Sequence, residues 1–325
     1  MELPRRQFLH LAAGAAALTA LSRATSAQSY PTRPVRLILP FGPAGATDIT
    51  ARLIGQSFSE RLAEPFVIEN RPGAGGNIAT EAVVRAPPDG YTLLYVATAN
   101  ASNATLYDKL NFNFIHDIAP VAATVGFPYI MVVSPSVPAK TLPEFIAYAK
   151  ANPGKINMAS PGIGSTPHLN GELFQVMTGT NIVHVPYRSA AAVMTDLLSG
   201  QVQLYFGTTA SSLEYVRTGK LRALGVTIER RLDALPDIPT VGDFVPGYEA
   251  HNWYGVGAPK ATPAEIVEKL NKEISAGLAD PKIKSRLADL GGIALTGSPS
   301  DFGKLIVEET EKWGKVVKFV GIKAD

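Results

Sequence analysis

The sequence contains no cysteine among its 325 residues and only five histidines. Without cysteine there are no disulfide bonds, no thiolate chemistry and no metal sites held by cysteine. His116, His184 and His251 are too scattered along the chain for a metal-ligand pattern, so each is interpreted as a surface or structural residue. We therefore expect neither a metal nor a cofactor.

Long apolar runs are also absent, apart from a short one near the start of the chain. Arg5 and Arg6 precede an apolar run over 11–21, and small residues follow up to Ala27. This order predicts a signal peptide, and the paired arginines resemble a twin-arginine export signal. A membrane anchor is the alternative, but the run is shorter than the ~18 residues that a span needs. We expect residues 1–27 to be cleaved and the protein to be exported.

Neither sign of charge dominates. The chain has 30 basic and 28 acidic residues, and the predicted signal peptide holds three of the former and one of the latter, so the mature net charge is zero. A neutral surface without a basic run is not expected to bind nucleic acid or an anionic membrane. The composition is 46% hydrophobic, and the mature chain is long enough for two lobes with a core each.

Strand-like apolar runs alternate with helical apolar repeats, which predicts an α/β fold with doubly wound sheets. The run over 118–133 exceeds the usual length of one strand. We interpret it as a strand that leaves one lobe and enters the other, with a hinge near Gly126, and 253–257 as the return. Lobe 1 is thus predicted at 28–125 and 251–325, lobe 2 at 126–250, and the ligand cleft between them.

The predicted elements follow from these patterns. Strands are predicted at 35–39, 66–68, 92–97, 156–159, 182–185, 202–206 and 221–226. Helices are predicted around 49–58 and at 78–85, 142–150, 166–177, 190–199, 210–218, 263–278 and 299–319.

Three strand–turn–helix units, within 37–53, 156–174 and 182–198, have turns rich in small and polar residues. The first N–H groups of a helix lack partners, and the helix dipole leaves about half a positive charge there. Such turns suit an anion. An ordinary loop is the alternative for each of them. We expect the three turns to face a common cleft and to bind a carboxylate.

Individual side chains in these turns allow two interpretations. Asp48 either accepts hydrogen bonds at the start of its helix or orients a ligand group through water. Ser165 and Thr166 either cap their helix or donate to an anion. Arg188 is either a surface arginine or a group that binds a carboxylate through two parallel hydrogen bonds.

Known enzyme and nucleotide motifs are not matched. The glycine-rich loop that begins at Gly73 has Ile78 where a dinucleotide fingerprint needs glycine. The turn at Ser165 lacks the lysine of a Walker loop. Ser165 and His168 share a helix face, but no third group and no nucleophile elbow accompany them. An exported hydrolase is therefore disfavoured.

Four motifs in order resemble the Bug family, the extracytoplasmic solute-binding proteins of tripartite tricarboxylate transporters (TTT). They are Pro40–Asp48, Glu69–Ile78, Ser160–Leu169 and His184–Tyr187, and the similarity covers the whole mature chain. The resemblance implies a two-lobed periplasmic binding protein of type II (Venus-flytrap), with two crossover strands. It also implies a monomer that is not an enzyme, that holds a small carboxylate through backbone donors and water, and that passes it to a membrane permease.

Carried over by motif, the resemblance implies that the binding residues lie on two facing walls. One wall would contain Phe41, Gly45, Ala46, Thr47, Asp48, Gly76 and Asn77, and the other Gly164, Ser165, Thr166, Tyr187, Arg188 and Ser189.

Two departures from the family pattern bear on the ligand. Arg188-Ser189 stands where the family often has Lys-Gly, and Gly207 where many members have aspartate. Without that carboxylate an amino acid would lack a partner for its ammonium group. We expect a small carboxylate, a dicarboxylate, tricarboxylate or aromatic acid, captured for transport. The two departures favour a plain or aromatic monocarboxylate or dicarboxylate. A ligand-sensing subunit that presents the bound acid to a membrane sensor protein is the alternative.

Overall fold

The computed structural model describes residues 30–43 and 46–323. The predicted signal peptide and Gly45, one of the predicted binding residues, lie outside the described residues.

The described chain alternates strands and helices as the sequence predicts. The strands are β1 (Val35–Leu39), β2 (Phe66–Asn70), β3 (Thr92–Ala97), β4 (Ile118–Val133), β5 (Asn157–Ser160), β6 (Val183–Pro186), β7 (Leu204–Thr208), β8 (Arg222–Val226), β9 (His251–Pro259) and β10 (Ile293–Ala294). The helices are α1 (Ala46–Leu62), α2 (Asn77–Val84), α3 (Thr98–Leu106), α4 (Phe114–Asp117), α5 (Leu142–Ala151), α6 (Thr166–Thr178), α7 (Ala190–Ser199), α8 (Thr209–Arg217), α9 (Ala264–Ala279), α10 (Pro281–Asp289) and α11 (Pro299–Val320), with a 3₁₀ turn at Ala74–Gly76.

The strands form two sheets, one in each lobe. In lobe 1, β2, β1 and β3 run parallel, β9 lies antiparallel to β3, and β4 lies antiparallel to β9. In lobe 2, β6, β5 and β7 run parallel, and β4 lies antiparallel to both β7 and β8. Each parallel group is joined through helices, so the carboxyl ends of β1, β2 and β3 meet at one edge and those of β5 and β6 at another.

Strand β4 belongs to both sheets. It pairs with β9 from Ile118 to Pro128 and with β7 from Tyr129 to Val133. The sequence predicts a change of lobe near Gly126, and the chain continues through this point as one 16-residue strand. The second crossover strand, β9, runs beside it in the opposite direction, so two adjacent strands connect the lobes.

Side chains of the lobe 1 sheet pack on both of its faces. Along β1, Leu37 and Leu39 enter one apolar cluster while Ile38 enters another, and Leu93 and Leu94 of β3 divide in the same way. Strands buried on both faces read as continuous apolar runs, and helices cover both sides as predicted.

The start of β9 is fixed by a buried carboxylate. Glu309 of α11 accepts hydrogen bonds from the indole N–H groups of Trp253 (3.0 Å) and Trp313 (2.8 Å) through one oxygen, and its other oxygen forms an ion pair with Lys312. Thr98 of α3 accepts from the backbone N–H of Trp253 at 2.8 Å. The crossover is thus anchored to the C-terminal helix and to α3.

The sequence patterns do not predict some of the observed elements. The helix Thr98–Leu106 has the sequence TANASNATL, whose small and polar residues lack a clear apolar period and favour turns. Helices α4 and α10 and strand β10 are short and were also missed. The ends of other predicted elements differ from the observed bounds by a few residues, where capping and fraying decide the limit.

Candidate functional site

A cavity of about 380 Å³ lies between the two lobes. Lobe 1 contributes residues that follow its strands, and lobe 2 contributes the turn between β5 and α6. The lobe 1 wall and β9 supply Phe41, Gly75, Ala97, Ala99, Asn103, Leu106, Tyr107 and Asn252, and the lobe 2 turn supplies every residue from Pro161 to Pro167. Strand ends and helix starts therefore converge on this cavity, which is where α/β proteins bind ligands.

The β5–α6 turn presents the start of α6 to the cavity. Ser165 is the N-cap residue, but its side chain makes no capping hydrogen bond and instead donates to the carbonyl of Gly162 at 2.7 Å. Pro167, in the first turn of the helix, has no N–H. The uncapped start of α6 thus leaves backbone donors and the positive end of the helix dipole beside the cavity.

The buried side chain of His168 is hydrogen-bonded to this turn. The N–H of Gly164 donates to Nδ1 of His168 at 3.0 Å, and Nε2 of His168 lies 3.3 Å from a carboxylate oxygen of Glu172. Both side chains are buried. Gly164 lines the cavity, but its N–H donates to His168 rather than to the cavity. Ser165 donates to Gly162 and not to His168, so the Ser165–His168 pair that a hydrolase would need is not formed.

His184 extends this support. Its ring stacks on His168 with centroids 3.6 Å apart, and its Nε2 lies 2.7 Å from the hydroxyl oxygen of Ser160. Burial, together with the charge of His168, lowers the pKa of His184 from 6.5 to about 4. The imidazole is therefore neutral at physiological pH.

The β6–α7 turn lies next to the β5–α6 turn because β5 and β6 are paired neighbours, Ser160 opposite Pro186. Tyr187 donates its hydroxyl to Asp196 at 2.6 Å, and burial together with that bond raises the pKa of Tyr187 to about 12. Ser189 caps α7 by accepting from the N–H of Ala192 at 3.3 Å. Neither residue is among those that line the cavity.

Arg188 lies on the same turn and is exposed to solvent. Within the described part of the chain it forms no ion pair, and it does not line the cavity. Its guanidinium lies on the turn adjoining the cavity wall.

On the lobe 1 wall, Phe41 lines the cavity and Asp48 lies behind it. The buried Asp48 carboxylate accepts from Nε of Arg52 at 2.9 Å and from Nδ2 of Asn70 at 3.1 Å, and the same Asn70 group donates to the carbonyl of Phe41. These donors are side chains, whereas the structural interpretation of Asp48 expected the N–H groups at the start of its helix. Ala46 is exposed at the first position of α1.

Thr47 reaches the cavity indirectly. It is buried and hydrogen-bonded to the hydroxyl of Tyr254. That hydroxyl also accepts from Nδ2 of Asn252 at 2.9 Å, and Asn252 lines the cavity. The start of α1 is thus linked through Tyr254 to the crossover strand.

The glycine-rich loop supports the same wall. Asn103 donates through Nδ2 to the carbonyl of Gly75 (2.9 Å) and to Oδ1 of Asn77 (3.0 Å). Gly76 has φ +99° and packs so closely that a Cβ there would lie 2.6 Å from Cβ of Pro40. Gly76 and Asn77 therefore hold the loop in place behind Gly75.

Several lining residues were missed from the sequence: Gly75, Ala97, Ala99, Asn103, Leu106, Tyr107, Pro161, Gly162, Ile163, Pro167 and Asn252. The residues of α3 had one available signal, because they directly follow a predicted parallel strand whose carboxyl end faces the cleft. Asn252 carried no local signal, since only the tertiary course of β9 brings it to the cavity.

A second cavity, of about 530 Å³, lies between α8 and the segment that joins α10 to β10. Arg217, Arg230, Asp233 and Asp289 line it, and all four are exposed. One parallel strand, β7, ends beside this cavity, since Thr209 follows it directly. Strand ends from both lobes meet at the smaller cavity, which is therefore the better candidate for the ligand site.

Two features are absent from residues 30–43 and 46–323. No group of three or more histidine, cysteine or acidic side chains is arranged to hold a metal ion. No helix in this part of the chain combines the length and apolar character needed to cross a membrane.

Comparison with known proteins identifies relatives along the whole chain. The chain is 33% identical to Protein BugT of Bordetella pertussis over 310 residues, 94% of this chain and 95% of that protein. Its fold superposes on that of R. palustris Rpa4515 with adipate with a TM-score of 0.77 and 36% identity, covering 90% and 99% of the two chains. It also superposes on MatC from Rhodopseudomonas palustris with bound malate, with a TM-score of 0.73 and 31% identity over 89% and 100%.

A family model described as tripartite tricarboxylate transporter family receptor matches residues 50–322. The members of this family are solute-binding proteins rather than enzymes, and the observed two-lobed fold agrees with that of its solved relatives. The resemblance seen in the four sequence motifs is confirmed: the chain belongs to the Bug family of tripartite tricarboxylate transporter receptors.

Proposed function

We propose that this chain is a periplasmic receptor that captures a small carboxylate in the cleft and delivers it to the membrane permease of a tripartite transporter. The observation that carries the proposal is the uncapped start of α6, which faces the lobe 1 wall across the cavity. A carboxylate placed there accepts from backbone donors and from the hydroxyl of Thr166. Adipate and malate in the two solved relatives support the same class of ligand.

The predicted binding residues divide into three roles in this proposal. Phe41, Gly164, Ser165 and Thr166 line the cleft and contact the ligand. Asp48, Gly76, Asn77, Tyr187 and Ser189 hold the turns in position. Ala46 and Thr47 form the second helix start, and Arg188 approaches the ligand from the rim when the lobes close.

The proposed closure is a hinge motion of the two lobes. We take 28–125 with 251–325 as lobe 1 and 126–250 as lobe 2. The pairing of β4 with β9 before Tyr129 and with β7 after it supports a hinge close to Gly126. The protein would act as a monomer, since the cleft contains donors from both lobes of one chain.

Isothermal titration calorimetry of the purified mature chain tests capture. The panel contains dicarboxylates, aromatic acids, citrate and amino acids. We expect micromolar affinity for at least one carboxylate, which corresponds to about −8 kcal/mol. Absence of heat with every acid of the panel, under conditions in which the protein is folded, contradicts the proposal.

Delivery and export need separate measurements. Uptake of the labelled ligand is expected to fall in a deletion strain, whereas normal uptake with lost gene induction would indicate sensing instead. N-terminal sequencing of the protein from the periplasmic fraction is expected to begin after Ala27.

A further inference from the structure

The cavity has an apolar side chain on each of its facing walls. Leu106 and Tyr107, at the end of α3, lie on the lobe 1 wall, and Ile163 lies on the lobe 2 turn. Leu106 is buried, whereas Ile163 is 62% exposed. An exposed isoleucine beside a cleft has apolar surface that a bound ligand removes from water.

The backbone of the turn fixes the position of Ile163. It lies between Gly162, with φ +139°, and Gly164, with φ +74°, conformations that other residues rarely adopt. The N–H of Gly164 is also held by His168. Ile163 therefore lies on a turn whose backbone conformation is constrained on both sides of it.

Leu106 meets this turn directly. A Cβ built on Gly164 would lie 2.9 Å from Cδ2 of Leu106. The lobe 1 wall therefore contacts the lobe 2 turn one residue away from Ile163, and a ligand in the cavity lies against both surfaces.

The lining of the cavity contains no charged side chain among the described residues. The nearby acidic groups have other partners, since Asp48 is engaged by Arg52 and Glu172 faces His168. An ammonium group buried here would have no carboxylate to compensate for the loss of its hydration. The neutral donors of the α6 start are suited to one carboxylate. Leu106 and Ile163 offer carbon surface to the rest of a ligand, beside the uncharged polar groups of Asn103, Tyr107 and Asn252.

We propose that Ile163 and Leu106 form an apolar clamp that selects a carboxylate with an unsubstituted hydrocarbon body and rejects its 2-amino derivative. This inference rests on the proposed function and names the substrate class of the same site. It assigns specificity to two residues from opposite lobes, neither of which supplies a polar contact. The cavity volume lies near the lower end of the range for ligand sites, roughly 300–1,000 Å³, so the body is short.

Calorimetry with two series of acids tests the clamp. The probes are linear monocarboxylates from acetate to octanoate and linear dicarboxylates from malonate to suberate, each compared with its 2-amino derivative where one exists. Affinity is expected to rise about threefold to fourfold for each added methylene until the cavity is filled. The 2-amino derivative of the tightest acid is expected to bind at least tenfold more weakly.

Variants of Ile163 separate the clamp from general effects. Ile163→Ala should flatten the dependence on chain length and weaken the tightest acid at least fivefold, and Ile163→Val should give an intermediate result. Val183→Ala is the matched control, because Val183 is an exposed apolar residue (42%) at the opposite end of a lobe 2 strand. Its profile should equal that of the unchanged protein.

Three outcomes distinguish the two proposals. Binding of carboxylates with no dependence on chain length, or with equal affinity for the 2-amino derivatives, overturns the clamp and leaves the carboxylate receptor standing. A dependence on chain length that Ile163→Ala does not change also overturns it. Absence of binding by every acid in both series contradicts the receptor itself.

Discussion

Leu106 and Gly164 touch across the cleft, because the position of a Cβ on Gly164 lies 2.9 Å from Cδ2 of Leu106. Position 164 therefore requires glycine for two reasons. Its φ is +74°, and a side chain there would collide with Leu106. The contact joins a helix of lobe 1 to the β5–α6 turn of lobe 2.

The first prediction concerns the substitution Gly164→Ala. The added methyl group should push Leu106 or the turn away and weaken carboxylate binding at least fivefold, while the positive φ costs about 1 kcal/mol of stability. Gly154→Ala is the matched control, since Gly154 has φ +72° with no atom within 4 Å of its Cβ position. Calorimetry and urea unfolding should show similar stability losses in the two variants and an affinity loss in Gly164→Ala alone. Equal affinities would show that the contact has no part in binding.

The second prediction concerns the acceptor behind the turn. His168→Ala removes the group that receives the N–H of Gly164 and leaves a part-buried donor without this partner, which costs at most about 1–3 kcal/mol. Carboxylate affinity should fall about tenfold, and His168→Asn, which returns an acceptor near the same place, should recover part of it. The exposed His116 provides the control His116→Ala. If His168→Asn and His168→Ala bind equally weakly, the hydrogen bond is not what positions the turn.

The third prediction concerns the rim of the cleft. Arg188→Ala should weaken carboxylate binding at least tenfold, since a charge-assisted bond contributes roughly 1.5–3 kcal/mol. The Tm of the unliganded protein should stay nearly constant, because Arg188 is exposed and forms no ion pair with the described residues. Arg217→Ala, at another exposed arginine, serves as the control. Unchanged affinity would reassign Arg188 to the surface.

The fourth prediction concerns pH. His184 titrates near 6.5 in the unfolded chain and at about 4 in the folded protein. As the pH falls from 6.5 to 4, the unfolded state takes up a proton that the folded state does not, so the free energy of unfolding decreases. The decrease for this half-buried group is at most about 2 kcal/mol, because solvent screens part of the effect. His184→Gln should remove that part of the acid destabilisation.

Urea unfolding at pH 7 and pH 4.5 provides the measurement for His184. The informative quantity is the difference between the two proteins, because paired carboxylates such as Glu249 contribute equally to both. Identical pH dependence in the two proteins would show that His184 is not buried as a neutral group.

The fifth prediction concerns the anchor of β9. Glu309→Ala leaves two buried indole N–H groups and Lys312 without their partner and should destabilise the protein by about 3–5 kcal/mol. Glu309→Gln keeps one acceptor and should lose less. Because Trp253 and Trp313 are the only tryptophans, their fluorescence during urea unfolding reports on this contact. A loss below 1 kcal/mol in Glu309→Ala would contradict the anchoring role.

Much of the fold was predictable because its signals are local. Strands β1 and β3 are predicted to the residue, since their mainly apolar runs end before Pro40 and Thr98. Helix α7 was also predicted with its bounds, because Ser189 caps its start and Gly200 ends it. Helix α3 was missed, because it is stabilised by packing against α11 and β9 rather than by an apolar stripe of its own.

Part of the candidate site was also predictable from the sequence, and part was not. Phe41 and the turn from Gly164 to Thr166 follow strands directly, so the sequence alone brings them to the cavity. Leu106, Ile163 and Asn252 depend on how the lobes meet, which no local pattern encodes. The sequence suggests His168 only as a partner for Ser165, and the hydrogen bond that it accepts from Gly164 depends on the folded turn.

The course of β9 also has a consequence for biosynthesis. Leu94 of β3 pairs with Gly257 of β9. During translation, the edge of β3 that pairs with β9 therefore stays unpaired until the entire lobe 2 sequence has been synthesised. The strands of lobe 2 are contiguous in the sequence from β4 to β8, so that lobe has its own strands available earlier. Long-range pairing of this kind is slow and leaves the nascent chain exposed to aggregation. We therefore expect chaperone binding to matter most before β9 is added to the sheet.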